Sequence, residues 1–477
     1  MQTSRRLLTS SLALLVLALA AFVFLSRTGT APRRTYVPYS DARPILESLS
    51  DRVPAELRSL GGPDAAARWL DWARRRDREI RGRLARGDED TVVNLMLFGT
   101  SFTEQPRVGD AELEQVVPDV RTGRQISPEQ IGPLIQRRAA AFVDAAAAGG
   151  GNGRLDLARL VFRQQGFDLT SAAGRSAARG FLFAGLLRVT SEQVGYARAL
   201  EEARRLGDPT REFAESSRLY RDRGLSLDTS LRPGFAIEES LAMLLQRGMV
   251  EPNGVRRVAV VGPGLDFADK HGGYDFYPEQ SIQPFAVMDS LLRLGLADAG
   301  TLVVTTLDLS PRVNAHLASV RHRASGGEGY TLQLPRDPEV GWREAFVRYW
   351  ERFGDQIGSA TPPAALPPGL EGLELRAVRV RAELAARVQP IDLNLVLERL
   401  EGEAFDLIVA TNVLIYYDVF EQCLALKNVE RMLRPGGFLL SNNAVLELPS
   451  SRVRSAGYLT ASYSHEGDHI VWYRREP

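Results

Sequence analysis

The sequence predicts an α/β fold for its C-terminal half: an open, largely parallel sheet with helices on its faces, closed by a terminal antiparallel hairpin. Three observations predict it. Short apolar runs at 258–261, 302–307 and 405–410 have the length of strands covered on both faces. The first run leads into Gly262-Pro263-Gly264-Leu265-Asp266 and the second into Asp308, at the strand ends where open α/β sheets bind ligands. Near the C-terminus, residues 458–463 and 469–474 read as two strands joined by the turn-prone Glu466-Gly467-Asp468.

Taken in order, residues 1–34 form a separate segment. Residues 7–25 are nearly all apolar, broken only by Thr9, Ser10 and Ser11, and follow Arg5-Arg6. That length can cross a bilayer, which predicts a single N-terminal membrane anchor or an export signal. Pro32 directly after the candidate cleavage residue Ala31 favours an uncleaved anchor. Ser4-Arg5-Arg6-Leu7-Leu8 also looks like a weak twin-arginine signal. Arg5 and Arg6 on one side face Arg27, Arg33 and Arg34 on the other, so charge leaves the orientation open.

Residues 35–250 read as mainly helical. Helices are expected over 66–84, 133–148, 157–187, 191–206 and 236–246, with a break at Gly149-Gly150-Gly151-Asn152-Gly153. The stretch 221–233 joins this region to the α/β domain and is a candidate contributor to its pocket.

The α/β domain spans 251–477. In its glycine loop, Gly262 and Gly264 let the backbone approach a ligand, but a dinucleotide fingerprint requires a third glycine where Phe267 stands. An aromatic-rich insertion at about 268–285 follows, with Tyr274, Phe276 and Tyr277 able to stack on a ligand or to pack the loop onto the body. Gln280 and Gln283 are hydrogen-bonding candidates there. Asp308 can accept both hydroxyls of a ribose; its other role would be a helix N-cap, which Ser310 before Pro311 fills better. A second insertion, at about 321–370, holds Trp342, Trp350 and a proline-rich stretch, and excursions of this kind commonly cap a site. Beyond the strand at 405–410 come a loop at 411–418, a helix carrying Phe420, Cys423, Leu424, Met432 and Leu433 at helical spacing, and the breaker Arg434-Pro435-Gly436-Gly437.

The succession of strand, loop, helix and L-x-P-G-G turn resembles the class I S-adenosylmethionine-dependent methyltransferases, whose sheet is Rossmann-like. Within them, NVLIYYD at 412–418 is similar to the corresponding loop of chemotaxis-receptor glutamate methyltransferases. The resemblance implies S-adenosyl-L-methionine as cofactor, bound by Gly262, Gly264 and Asp308. It puts Asp392 near the adenine amino group, where a helix N-cap explains that residue equally well. Asn412, Tyr416 and Tyr417 would face the methyl acceptor, although packing explains the two tyrosines equally well. The chain departs from the family in the glycine loop: an acid is usual where Val260 stands, and a further glycine where Asp266 stands. Asp266 is therefore assigned the missing acid's place near the methionine amino group. No D/N-P-P-Y/F/W motif follows the fourth strand, which argues against the adenine and amide N-methyltransferases that use it.

Composition excludes other classes. The chain has 477 residues with 59 basic and 59 acidic side chains, so charge gives no indication of nucleic acid. The single cysteine excludes an internal disulfide, and the five histidines show no metal-ligand spacing; His465 and His469 flank the hairpin turn. The expectation is a membrane-tethered methyltransferase with an unknown acceptor and no metal. Turnover needs fresh cofactor, which favours a cytoplasmic catalytic domain. The contrasting expectation is an inactive binding or scaffold protein that kept the fold, suggested by the altered glycine loop and export-like leader.

Overall fold

The computed structural model describes residues 32–50, 52–108, 128–149, 153–205, 224–266 and 274–477, without the side chains of 128–131 and 190–205. The apolar run at 7–25, the start of the first insertion at 268–273 and the linker residues 221–223 lie outside the described residues. Among the described helices none is long and apolar enough to cross a membrane.

A short strand β1 (Arg34–Tyr36) precedes helices α1 (Tyr39–Ser48), α2 (Ala65–Phe98), α3 (Pro128–Ala148), α4 (Gly153–Gln164) and α5 (Ala172–Arg205). One helix expected over 157–187 is two. Gly166 adopts φ 78° after α4, and the Asp168 side chain accepts the N–H and hydroxyl of Thr170 in a tight turn before α5. Helix α6 (Arg232–Gln246) then leads into the sheet.

The α/β part runs β2 (Arg257–Val261), α7 (Gln283–Arg293), β3 (Val303–Asp308), α8 (Pro311–Ser325), β4 (Tyr330–Arg336), α9 (Glu344–Arg352), β5 (Gly358–Ala360), β6 (Glu374–Val380) and α10 (Ala382–Ala385). It continues through β7 (Val388–Asp392), β8 (Glu398–Leu400), β9 (Phe405–Ala410), α11 (Val419–Met432), β10 (Leu433–Ser441), β11 (Val453–Ser462) and β12 (Gly467–Arg475). The central sheet has the order β11-β12-β10-β9-β2-β3-β7. Strands β10, β9, β2, β3 and β7 are parallel, and β12 is antiparallel to both neighbours. The terminal hairpin thus forms as expected, with its last strand inserted between β10 and β11. Both faces of β12 are covered, with Ile470 and Trp472 packed on one and Val471 and Tyr473 on the other, as in an interior strand.

Leu433 begins β10 rather than closing the helix. The Pro435-Gly436-Gly437 turn is a bulge in that strand, with Gly436 at φ 79° and the register to β9 shifting between Leu433 and Phe438. Helix α11 starts with a capping box, Asp418 accepting from the Glu421 N–H at 2.9 Å and Glu421 answering at 3.2 Å.

The second insertion is shifted from its expected limits, because 321–325 complete α8. The excursion is a small antiparallel sheet, β4-β6-β5, with α9 beside it. It docks through Tyr349 onto Phe235 of α6, ring centroids 5.6 Å apart, and through an Arg293 hydrogen bond to the Arg352 carbonyl.

The start of the helical region, from β1 to the first half of α2, packs on the side of α11, whereas the end of α2 and helices α3–α5 share a core with α6, α7 and the insertion. β1 pairs with β8, and Trp69 and Trp72 of α2 pack edge-on against Phe420 of α11. Buried Asp41 on α1 receives Arg399 and Arg431, each at 2.6 Å. Burial alone would raise Asp41, but the two guanidinium groups hold its carboxyl below the usual range.

Candidate functional site

Chain order reverses at β2, with β3 on one side and β9 on the other, so the carboxyl ends of these strands open the crevice. Leaving β2, Gly262 and Gly264 both take positive φ, 62° and 64°. The Gly262 N–H donates to the Leu307 carbonyl at 2.9 Å, tying the loop to β3. A Cβ on Gly264 would stand 2.5 Å from the Leu227 carbonyl oxygen, so only glycine lets the preceding linker lie so close. That linker is laced to the loop: Leu265 N–H donates to Leu227 O at 2.8 Å and Thr229 N–H to Leu265 O at 3.2 Å.

Asp308 ends β3 almost fully buried. Its carboxylate accepts the Ser310 N–H at 2.7 Å, while Ser310 caps α8, as its sequence position suggested. Burial pushes Asp308 up to about 7, against the opposing pull of backbone N–H groups from Ser310, Gly264 and Leu309. Among the described residues no arginine or lysine pairs with it, and the charge of neighbouring Asp392 raises it further.

The loop after β9 supplies the far wall. Asn412 adopts φ 57°, a left-handed conformation that asparagine tolerates. Its N–H donates to Asn442 Oδ1 at 2.8 Å, and the Asn442 amide donates back to Asn412 Oδ1. Gln422 on α11 holds the Leu414 and Tyr417 carbonyls at 3.0 and 2.9 Å. From α2, Arg83 donates to the Tyr416 carbonyl at 2.9 Å. Gln283, first residue of α7, donates to the buried Thr411 hydroxyl.

These groups enclose a cleft with about 780 Å³ of empty space, part of it open to solvent. Gly262, Gly264, Asp308, Asn412 and Tyr416 all line it, so the structure brings together five residues singled out from sequence. Leu309, Leu393, Leu395 and Val413 give it apolar walls. Asp228 and Asp308 are the charged side chains among the described residues of the lining, which includes no lysine, arginine or histidine.

Two assigned residues stand elsewhere. Asp266 is buried against the first insertion, accepting the Tyr277 hydroxyl and the Gln280 amide, both at 2.9 Å. Its bridge to Gln280 turns it away from the cleft. Asp392 pairs beside Asp308 in register, but no helix follows it and its half-exposed carboxylate bonds Arg81 at 2.7 Å and Arg34 at 3.5 Å. Those arginines draw it to the α2 side. Tyr274, Phe276 and Tyr277 pack with Leu373 as a small cluster, holding the insertion to the body. The described residues of 321–370 contribute nothing to the lining.

The cleft also contains residues that sequence reading did not assign. Leu84 comes from the middle of a long helix and gave no local signal. Leu225 to Thr229 belong to the linker already suspected of reaching the pocket. His465 and His469 are exposed, and no group of three potential metal ligands occurs among the described residues.

No family model matches the chain, and no curated protein matches it. Solved structures do. The N-methyltransferase NodS from Bradyrhizobium japonicum, in complex with S-adenosyl-L-homocysteine, is 12% identical, covers 52% of this chain and 89% of its own, and has a TM-score of 0.24. A TehB-like SAM-dependent methyltransferase from Corynebacterium glutamicum is 11% identical over 52% of this chain and 90% of its own, TM-score 0.25. An O-methyltransferase family protein from Burkholderia thailandensis is 11% identical over 73% of this chain and 97% of its own, TM-score 0.23. Likenesses of this size carry no argument about activity.

Proposed function

We propose that the chain binds S-adenosylmethionine in this cleft and transfers its methyl group to an unknown acceptor. The observation that carries the reading is Asp308: a buried carboxylate without a cationic partner, facing a glycine loop at the switch point of a parallel sheet. Among the described residues of the lining a phosphate would meet two carboxylates and no cation, so these residues suit a ligand with hydroxyls rather than a nucleotide phosphate.

In this reading Asp308 accepts the ribose hydroxyls, and the glycine loop admits the ligand backbone-close. Leu309, Leu393 and Leu395 offer the apolar wall a purine needs. Bound S-adenosylmethionine supplies an already activated methyl group, so the protein's contribution is chiefly to orient and to exclude water. Asn412 and Tyr416 stand at the acceptor edge, Asn412 fixed by its amide pair with Asn442. The likeness of 412–418 to glutamate methyltransferases makes carboxylate acceptors the first to try.

Residues 7–25 would tether the protein to a membrane as an uncleaved anchor, with the catalytic domain on the cytoplasmic side where cofactor is replenished. Fractionation and protease protection of the full chain test that placement; a soluble protein would overturn it.

Calorimetric titration of the purified chain with S-adenosylmethionine and S-adenosylhomocysteine tests the cofactor. Saturable micromolar binding is expected, weakened by at least ~1 kcal/mol in Asp308→Ala. No binding by well-folded protein overturns the reading. Binding without turnover on any acceptor class identifies a scaffold that kept the cleft.

A further inference from the structure

Resting on the anchor reading above, we propose that a second cavity, at the amino edge of the central sheet, binds the head of a membrane phospholipid that carries an ammonium, and that this edge faces the bilayer. The cavity lies at the opposite strand ends from the cofactor cleft. The end of α6 forms one wall and the Arg434-Pro435-Gly436 bulge of β10 the other, around about 840 Å³ of empty space, part of it open to solvent.

The anchor leads to this edge. Residues 26–31 separate the apolar run from the described chain, and a stretch of that length reaches at most ~20 Å. The chain then enters along β8: the Glu401 N–H donates to the Arg33 carbonyl at 2.9 Å, and the Leu400 N–H meets Met432 Sδ, at the end of α11, at 3.3 Å. Glu401 stands in the turn just ahead of Phe405, which opens β9, and the next residues of that strand, Asp406 and Leu407, line the cavity. A bilayer that holds 7–25 is thus within reach of the cavity, and the cofactor cleft opens at the other end of the strands.

The lining sets apolar surface beside two open charges of opposite sign. Leu241, Leu244, Val255 and Phe438 give the apolar wall. Asp406 is satisfied: it accepts the Arg256 and Arg257 N–H groups at 2.7 and 2.8 Å and the Arg434 guanidinium, which also donates to the Gly254 carbonyl at 3.4 Å. Arg474 lies over the Phe438 ring, 5.6 Å from its centroid, and it and Glu251 are exposed. Neither forms an ion pair among the described residues. Asp406 offsets Arg434 and Glu251 offsets Arg474, so the described lining is neutral, which complements a zwitterion rather than a bare anion. A phosphate on Arg474 and an ammonium on Glu251 use both open charges, while the first carbons of the acyl chains cover the apolar wall.

The purified full chain is titrated calorimetrically with dihexanoyl phosphatidylethanolamine and dihexanoyl phosphatidylglycerol below their micelle concentrations, and with O-phosphoethanolamine, which has no acyl chains. Wild type is expected to bind the ethanolamine lipid most tightly. Arg474→Gln should weaken both lipids and Glu251→Gln only the ethanolamine lipid, each by up to ~5-fold, the worth of an exposed ion pair. An unchanged melting temperature of these surface variants shows that the fold is intact. Binding of neither lipid by wild type, affinities unmoved by Arg474→Gln, an ethanolamine preference that survives Glu251→Gln, or equal affinity for O-phosphoethanolamine overturns the site. Lipid binding by a chain that fractionates as soluble keeps the site and removes the bilayer orientation together with the anchor.

Discussion

Two buried aspartates on either side of the same sheet are handled in opposite ways. Asp41, between α1 and the β8–α11 side, is clasped by Arg399 and Arg431 and held ionised. Asp308, at the carboxyl edge, is buried against backbone N–H groups with no arginine and is pushed up to about 7. In a chain this rich in arginine, with 59 basic residues, leaving Asp308 without one is a distinction in itself. The first carboxylate has its hydrogen bonds satisfied by the fold. The second has capacity left for a ligand, at some cost to the stability of the free protein.

The largest expected effect breaks the clasped side. Asp41→Ala leaves buried Arg399 with only the half-exposed Glu401 as a charged partner and should destabilise the protein by ~3 kcal/mol in denaturant unfolding, a figure discounted because Arg431 is half exposed. Because Asp41 is depressed, its contribution is present above pH 3.8 and lost as pH falls through its folded value. Wild type should therefore lose more stability on acidification than Asp41→Ala does.

Asp308→Asn should act with the opposite sign. A carboxyl raised from 3.8 to about 7 stabilises the folded state fully below pH 3.8, and that contribution disappears as pH rises through 7. The amide should stabilise the ligand-free protein at pH 8 by ~2 kcal/mol, with the gain shrinking toward pH 4. A ligand that bonds the ionised carboxylate should bind more tightly as pH rises to about 7 and level off above it. A flat pH profile of affinity would separate Asp308 from the ligand.

A finer comparison lies inside the glycine loop. Gly264→Ala meets a backbone carbonyl at 2.5 Å, whereas Gly262→Ala meets a Val413 methyl at 2.7 Å that can rotate away. Both strain a positive φ, at ~1 kcal/mol or more. Gly264→Ala should cost the greater stability and the greater ligand affinity, and equal effects would mean the linker yields. The smallest effect belongs to Asp392→Asn, a half-exposed residue in ion pairs. It should change stability by under ~1 kcal/mol and alter ligand affinity less than any change at Asp308, since only its charge reaches that carboxyl.

The parallel strands, the glycine loop, Asp308 with its Ser310 cap and the loop at 412–418 are legible in local sequence. These are local: an apolar run of strand length, a turn that needs glycine and a capping residue are all written within a few positions. Tertiary structure decided the rest. Asp266 and Asp392 look like cofactor ligands by spacing, yet Tyr277 and Gln280 claim one and Arg81 and Arg34 the other, from up to 358 positions away. Leu84 and Asp228 reach the cleft only because α2 packs across the sheet and the linker lies along the glycine loop. Burial and pairing with distant residues set where a carboxylate points and whether it is charged, and neither is encoded in its immediate neighbours.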